Sequence, residues 1–324
     1  MPKRKKYLKF IFKFFVSFSI IAFLLIFRIS VKDIFAHIKS ANLFWVVVSF
    51  SLHSLGLIIS AIRWKILIQA HGDHVPLTFL IKSYLVGSFF NNFLPTRFGG
   101  DLVRIWDGSQ YSKSILKSSA IILVERLTGI IVLLLFALTA SLIRIDMAQN
   151  IPVIWIALSI AILGLLLIVC FFTPFFEKLI RIIPENTFFK NIKDKIIDFR
   201  GSVFVYKKKK AALIKALFWA FLLQINVILH YYLVGKALNL SPAVLDYFVF
   251  IPIVLIILII PVTIGGHGLR EGAYTEIFAI YGISGAAAIA FSAIADIAFT
   301  LIIGILGGII YIFRKKRIDI SRNP

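Results

Sequence analysis

Cysteine is nearly missing from this chain: Cys170 stands alone among 324 residues. An intramolecular disulfide is therefore excluded, and a single cysteine within an apolar run reads as a small inert hydrophobe. Charge is scarce as well. Only 16% of residues are Asp, Glu, Lys or Arg, against roughly a quarter in a soluble domain. No GxxxxGK[ST] loop occurs, which excludes nucleotide hydrolysis through a P-loop. His71 and His74 have no further ligand spaced to complete a zinc site, so they read as a polar loop. No nucleophile–base pairing stands out, and no metal or cofactor is expected.

What is abundant is apolar side chain. Hydrophobic residues make up 60% of the chain and mean hydropathy is +0.95. The apolar residues come in long blocks, which places the chain in the polytopic, all-α membrane class. The basic N-terminus, MPKRKK, is followed by an apolar run too long for a signal-peptide core and by no small-x-small cleavage site. It is expected to stay as a first span. Six segments reach the roughly 20 residues that a bilayer core needs: 10–27, 43–62, 120–143, 152–172, 212–234 and 285–312. Two more apolar stretches are awkward. Residues 77–95 carry Lys82, Asn91 and Asn92 and end at Pro95; residues 248–266 carry Pro252 and Pro261 and end in a glycine pair.

Charge placement decides how to count them. Net charge is +21. No soluble domain is evident to engage nucleic acid with it, so topology and anionic lipid are its expected partners. With the N-terminus inside and six spans, 27 Lys and Arg fall in cytoplasmic segments: 5 before the first helix, 7 in 62–119, 10 in 173–211 and 5 after 313. The external loops hold 5. Letting either awkward stretch span alone moves a dense basic segment outside, against the positive-inside rule. Each is therefore expected to dip in and return, as re-entrant helical hairpins over 77–104 and 247–282 in the cell membrane, with both termini cytoplasmic. The basic loop 173–211 spaces Phe, Leu and Ile three to four apart. It reads as amphipathic helices broken at Pro184, lying either on the inner leaflet or over the cytoplasmic face of the bundle.

The two awkward stretches share a pattern. Pro95-x3-Gly99-Gly100-x3-Arg104 and Pro261-x3-Gly265-Gly266-x3-Arg270 both read P-x3-GG-x3-R. Each half of the chain runs helix, helix, dip, helix. The first half, 1–150, starts inside and the second, 151–324, starts outside, so the repeat is inverted. Inverted repeats with broken segments at matching positions point to a transport site near the midplane; a repeat used only for packing is the alternative.

Proline ends the descending helix, and the glycine pair permits φ > 0 and a tight reversal. Asp101 is a candidate N-cap for the returning helix. A helix N-terminus in low dielectric is an anion site, and Arg104 and Arg270 would bind phosphate bidentately. Arg97, Arg126, Asn91 and Asn92 extend the candidate binding set. His267 either caps the second turn or senses protons. Glu125, Glu271 and Asp296 are ionisable groups inside apolar segments and are candidates for ion coupling; Glu276 is either one more or an exposed interfacial residue. Gly304-x3-Gly308 reads as close helix packing.

NNFLPTRFGGDLVR with VERLTG downstream, and LIIPVTIGGHGLREGAY, resemble the lysylphosphatidylglycerol synthase transmembrane family, the flippase-like membrane part of multiple peptide resistance factors. The resemblance implies translocation of a lipid with an anionic, aminoacylated or glycosylated headgroup and no enzymatic activity. The soluble aminoacyl-transferase domain of bifunctional relatives is expected to be absent, which leaves the lipid open. Asp296 stands where that family often has a basic residue. A homo-oligomer or a separate lipid-modifying enzyme is the partner class left open. A membrane-embedded lipid-phosphate transferase, with Asp33 as its lone carboxylate, and an accessory subunit of an envelope-lipid complex are the alternatives.

Overall fold

The computed structural model describes residues 29–93, 99–143, 187–258 and 265–314, with Thr263 and isolated positions at 18, 19, 22, 23, 155, 159, 162–164, 166 and 173. Every regular element among them is helical: α1 (Val31–Ser40), α2 (Leu43–Ala70), α3 (Leu77–Phe93), α4 (Gly99–Ser112), α5 (Ile115–Ile143), α6 (Thr187–Lys208), α7 (Lys210–Ala237), α8 (Val244–Ile257), α9 (Leu269–Ala279) and α10 (Gly285–Ile312). Four of these are long and apolar enough to cross a bilayer: α2, α5, α7 and α10. At 1.5 Å rise per residue, their 25 to 28 spanning residues reach about 37–42 Å, more than the roughly 30 Å hydrocarbon core. They coincide with four of the six expected spans. The expected spans at 10–27 and 152–172 lie outside the continuously described residues, as do Pro95, Arg97 and Pro261.

Among the described residues, each awkward stretch holds two helices. α3 ends at Phe93 and α4 begins at Gly99; α8 ends at Ile257 and α9 begins at Leu269. α3 and α8 have 17 and 14 residues, about 26 and 21 Å, short for a span.

The described residues group into two compact units. One draws on 1–57, 84–100 and 225–317, the other on 58–83 and 101–224. In the first unit, α8 folds back along α9: Phe250 meets Phe278 edge-on at 5.3 Å and Tyr281 at 6.4 Å. Tyr274, Phe278 and Phe291, all fully buried, form a knot of rings 5.0 to 6.1 Å apart. Each such pair contributes about 0.5–1.5 kcal/mol beyond its burial, which fixes α9 on α10. The expected small-residue packing on α10 is present and extends to a third glycine. A Cβ on Gly304 would meet the Asn92 amide at 2.1 Å, one on Gly307 the Leu85 carbonyl at 1.8 Å, and one on Gly308 the Phe89 ring at 2.8 Å. α3 thus lies backbone-close on α10.

In the second unit, α6 packs on α5 and buries Val203 and Tyr206, whose hydroxyl donates to the Leu67 carbonyl at 2.9 Å. Of the two readings of the basic loop, contact with the bundle is therefore met by α6. Ile197 remains exposed on it.

Candidate functional site

Each unit carries one buried cluster of charged side chains, and each lies on the helix that follows a P-x3-GG break.

In the second unit the cluster joins α4 to α5. Arg104 pairs with Glu125, Arg126 pairs with Asp101, and Arg104 also lies 3.5 Å from Asp101. Arg104, Glu125 and Asp101 expose 7%, 7% and 12% of their side chains, while Arg126 exposes 43% and brings charge to the surface. The Arg104 guanidinium lies 4.6 Å from the centroid of the buried Trp64 ring on α2. One residue earlier, Arg63 donates to the Glu125 carbonyl at 2.7 Å and to Thr128 at 3.1 Å. The VERLTG stretch is thereby accounted for: Glu125 and Arg126 form ion pairs, and Thr128 and Gly129 seat Arg63.

Two expectations for the first motif are corrected. Gly99 and Gly100 are the first two residues of α4, and Gly100 does not take a left-handed φ. Glycine is required at 100 for a different reason. A Cβ there would lie 2.7 Å from the Gly87 carbonyl oxygen and from the Asn91 amide nitrogen. Asp101 is likewise not the N-cap but the third residue of the helix, where its carboxylate still favours the positive helix end. The capping is done by Asn91, whose Oδ1 accepts the Gly100 amide at 2.7 Å. Asn92 points elsewhere, donating to the Thr300 carbonyl on α10 at 2.9 Å.

In the second motif the glycine pair does take the positive φ expected of it. Gly265, Gly266 and Gly268 have φ of +61°, +83° and +83°, values that disfavour a residue with a Cβ. Glu271, in the first turn of α9, reaches back so that its Oε2 accepts the Gly268 amide at 2.6 Å. Its Oε1 accepts from Arg270 at 3.0 and 3.2 Å and from Ser292 at 2.9 Å. Arg270 is buried, bonds Ser292 at 3.1 Å and lies 3.5 Å from Asp296. His267 adds a contact, its Nδ1 3.2 Å from an Arg270 nitrogen, so it both sits in the turn and steadies the guanidinium. Glu276 is exposed and Asp33 lies exposed on α1.

Asp296 occupies a six-residue π-helical segment of α10, Ala293–Ala298, and such segments are frequent at functional sites. Its Oδ1 accepts the Tyr231 hydroxyl at 2.7 Å. The neighbouring His230 contacts Ser49 through Nδ1 at 2.8 Å and the Ala295 carbonyl through Nε2 at 3.2 Å. The His53 ring lies 5.0 Å from that of His230. Ser49, His53, His230, Tyr231, Tyr274 and Ser292, with Arg63 and Trp64 in the other cluster, were not among the residues singled out by sequence. A signal existed: Ser49 and His53 are one turn apart within a span, and His230 interrupts another, so the rule that flagged Asp296 applies to them.

Comparison with known proteins fits this architecture. The family described as the lysylphosphatidylglycerol synthase TM region matches residues 10–308. A UPF0104 membrane protein of Pyrococcus horikoshii is 22% identical over 297 residues, covering 85% of this chain and 89% of its own. Another, from Methanothermobacter thermautotrophicus, is 20% identical over 329 residues, with 92% of each covered. No solved structure matches. The chain is an integral membrane protein and belongs to the lysylphosphatidylglycerol synthase transmembrane-region family.

Proposed function

We propose that this protein translocates a lipid with an anionic headgroup across the cell membrane. The observation that carries the reading is a pair of buried arginines, Arg104 and Arg270, each set among carboxylates in a chain of long apolar helices. Ionised groups inside a membrane are expensive and are kept for function. Arg104 and Arg270 both sit on a helix that follows a broken apolar segment, the arrangement that transporters use to bring helix ends and charge to membrane depth. The broken segments are re-entrant hairpins in this reading, related as an inverted repeat among six spans, with both termini cytoplasmic. The phosphate of a lipid exchanges with the carboxylates already bound to the guanidinium groups. Arginine suits this exchange because its fork holds a carboxylate or a phosphate in the same bidentate geometry. The name of the family supports a lipid as the cargo.

The test is reconstitution into liposomes that contain a fluorescent phosphatidylglycerol, with a membrane-impermeant reductant added outside. The protein should accelerate loss of inner-leaflet fluorescence. Arg104→Lys and Arg270→Lys keep the charge but lose the fork, and each should slow transport by about tenfold or more. Failure of the wild-type protein to move anionic lipids, across a panel of headgroups, would overturn the reading.

A further inference from the structure

We propose that Asp296 is a reversible proton-binding site and that its protonation is linked to anion binding at Arg270. This rests on the lipid-transport reading and names what drives it.

The geometry separates the two carboxylates of the Arg270 cluster. Glu271 is committed on both oxygens, to the Gly268 amide on one side and to Arg270 and Ser292 on the other. A proton on Glu271 would displace the cap of α9 or a guanidinium bond. Asp296 is committed on one oxygen only. Oδ1 takes the Tyr231 hydroxyl and faces Arg270, whereas Oδ2 is buried and has no hydrogen-bond partner among the described residues. A proton can be added at Oδ2 without breaking a bond.

The charge balance gives the proton a purpose. One guanidinium here faces two carboxylates. With Asp296 ionised, an arriving phosphate meets a cluster with an excess negative charge. With Asp296 protonated, Arg270 and Glu271 balance, the pull of Asp296 on Arg270 is gone, and the anion meets no net repulsion at short range. Binding of anion and proton must then each favour the other by the same factor. The surroundings of Asp296 are consistent with proton movement. Arg270, Glu271 and Tyr274 face it from α9, Tyr231 and His230 from α7, and His53 from α2, with His267 on the turn behind Arg270. α1 packs further along α10, against Gly285–Ser292. His230 has a carbonyl oxygen at each ring nitrogen, Ser49 at 3.2 Å and Ala295 at 3.2 Å. Either ring nitrogen is placed to donate, so both tautomers of the ring have an acceptor. Consecutive residues of α7, His230 and Tyr231, thus grip consecutive residues of the π segment, Ala295 and Asp296.

Two measurements test this. In the liposome assay, wild-type transport should rise as pH falls from about 8 to about 5, with uptake of protons reported by an entrapped pH dye, and Asp296→Asn should flatten that dependence. In infrared difference spectra of the purified protein over the same pH range, a protonated-carboxyl band should appear in the wild type and be missing in Asp296→Asn. Lipid movement whose pH profile is unchanged in Asp296→Asn overturns the proposal and leaves the transport reading standing. Should the wild type move no lipid, the transport reading fails and the infrared band decides the proton site: its presence supports it, its absence overturns it. Should Asp296→Asn not fold, the wild type still decides, since transport indifferent to pH with no carboxyl band refutes the idea.

Discussion

The Arg104–Glu125 pair offers a quantitative test of how the first cluster is held together. Both side chains are about 7% exposed, so solvent does little to screen them. Replacing Arg104 with Met takes the paired guanidinium away from the buried Glu125 carboxylate, while Arg126 stays on Asp101. Breaking a buried pair from one side costs about 3–5 kcal/mol. Glu125→Gln should cost less, near the bottom of that range, for two reasons visible in the structure. Arg104 keeps Asp101 at 3.5 Å, and it keeps the Trp64 face at 4.6 Å, a contact worth about 1–2 kcal/mol when desolvated. The double variant Arg104→Met/Glu125→Gln leaves no uncompensated charge at this pair and should lie within about 1–2 kcal/mol of wild type. Equilibrium unfolding by SDS titration in mixed micelles reads all four species. The order expected is Arg104→Met worst, Glu125→Gln next, and the double variant mildest. If the two single costs add within about 0.5 kcal/mol, the residues are not energetically coupled, and the description of the cluster as one ion-paired unit is wrong. The same cycle protects the transport assay from misreading, since it says how much of any lost activity reflects lost fold.

Three further outcomes are expected. Gly307→Ala places a Cβ 1.8 Å from the Leu85 carbonyl, where ordinary contact begins at 3.4 Å, so α3 and α10 must part by about 1.6 Å; it should lower stability by about 1–3 kcal/mol, whereas Gly272→Ala, with nothing within 4 Å, should be neutral or stabilising by up to about 1 kcal/mol. Asn91→Ala removes the side chain that caps α4 and should cost about 0.5–2 kcal/mol in the same SDS titration, with Asn91→Asp retaining most of the cap. His71 has its pKa lowered from 6.5 by burial and then by Lys117, against an opposing pull from Asp73. The unfolded chain therefore takes the proton first as pH falls below about 6.5, stability drops until the folded-state value is passed, and His71→Gln should reduce that loss in thermal melts followed against pH.

The spans were legible because a bilayer crossing demands a run of apolar side chains that no local accident imitates. The separation of α8 from α9 was legible because proline and paired glycines interrupt such runs. The partners of the arginines were not. Arg104 and Glu125 are 21 positions apart on different helices, and nothing in spacing alone says which carboxylate turns toward which cation. Glu125, Glu271 and Asp296 were singled out as coupling candidates and Arg104 and Arg270 as anion ligands, but the two sets were not foreseen as direct contacts of each other. His53 and His230 went unremarked for a related reason. A single imidazole in a 28-residue apolar helix barely alters its hydropathy.

Glycine was ambiguous in another way, and the ambiguity has mechanistic weight. Two segments with the same letters, P-x3-GG-x3-R, use their glycines differently: at 265 and 266 for a backbone that turns left-handed, at 100 for a helix that must approach Gly87 without a side chain between. The arginine that follows then meets a different balance. Arg104 and Arg126 pair with Glu125 and Asp101, with Arg63 on the Glu125 carbonyl, while among the described residues Arg270 is the guanidinium that faces Glu271 and Asp296. Among the described residues the second cluster holds one carboxylate more than its arginine, and one added proton would bring those ion-paired groups into balance. On the proposal above, the likeness in sequence covers a division of labour: the first motif would supply an ion-paired arginine centre with Arg126 partly exposed, and the second a centre whose charge a proton changes. Symmetry between the halves is therefore the wrong expectation for their variants. Removing the carboxylate excess at Asp296 should alter how transport depends on pH, whereas neutralising Asp101 or Glu125 should alter stability first, because there it breaks a balance that already exists.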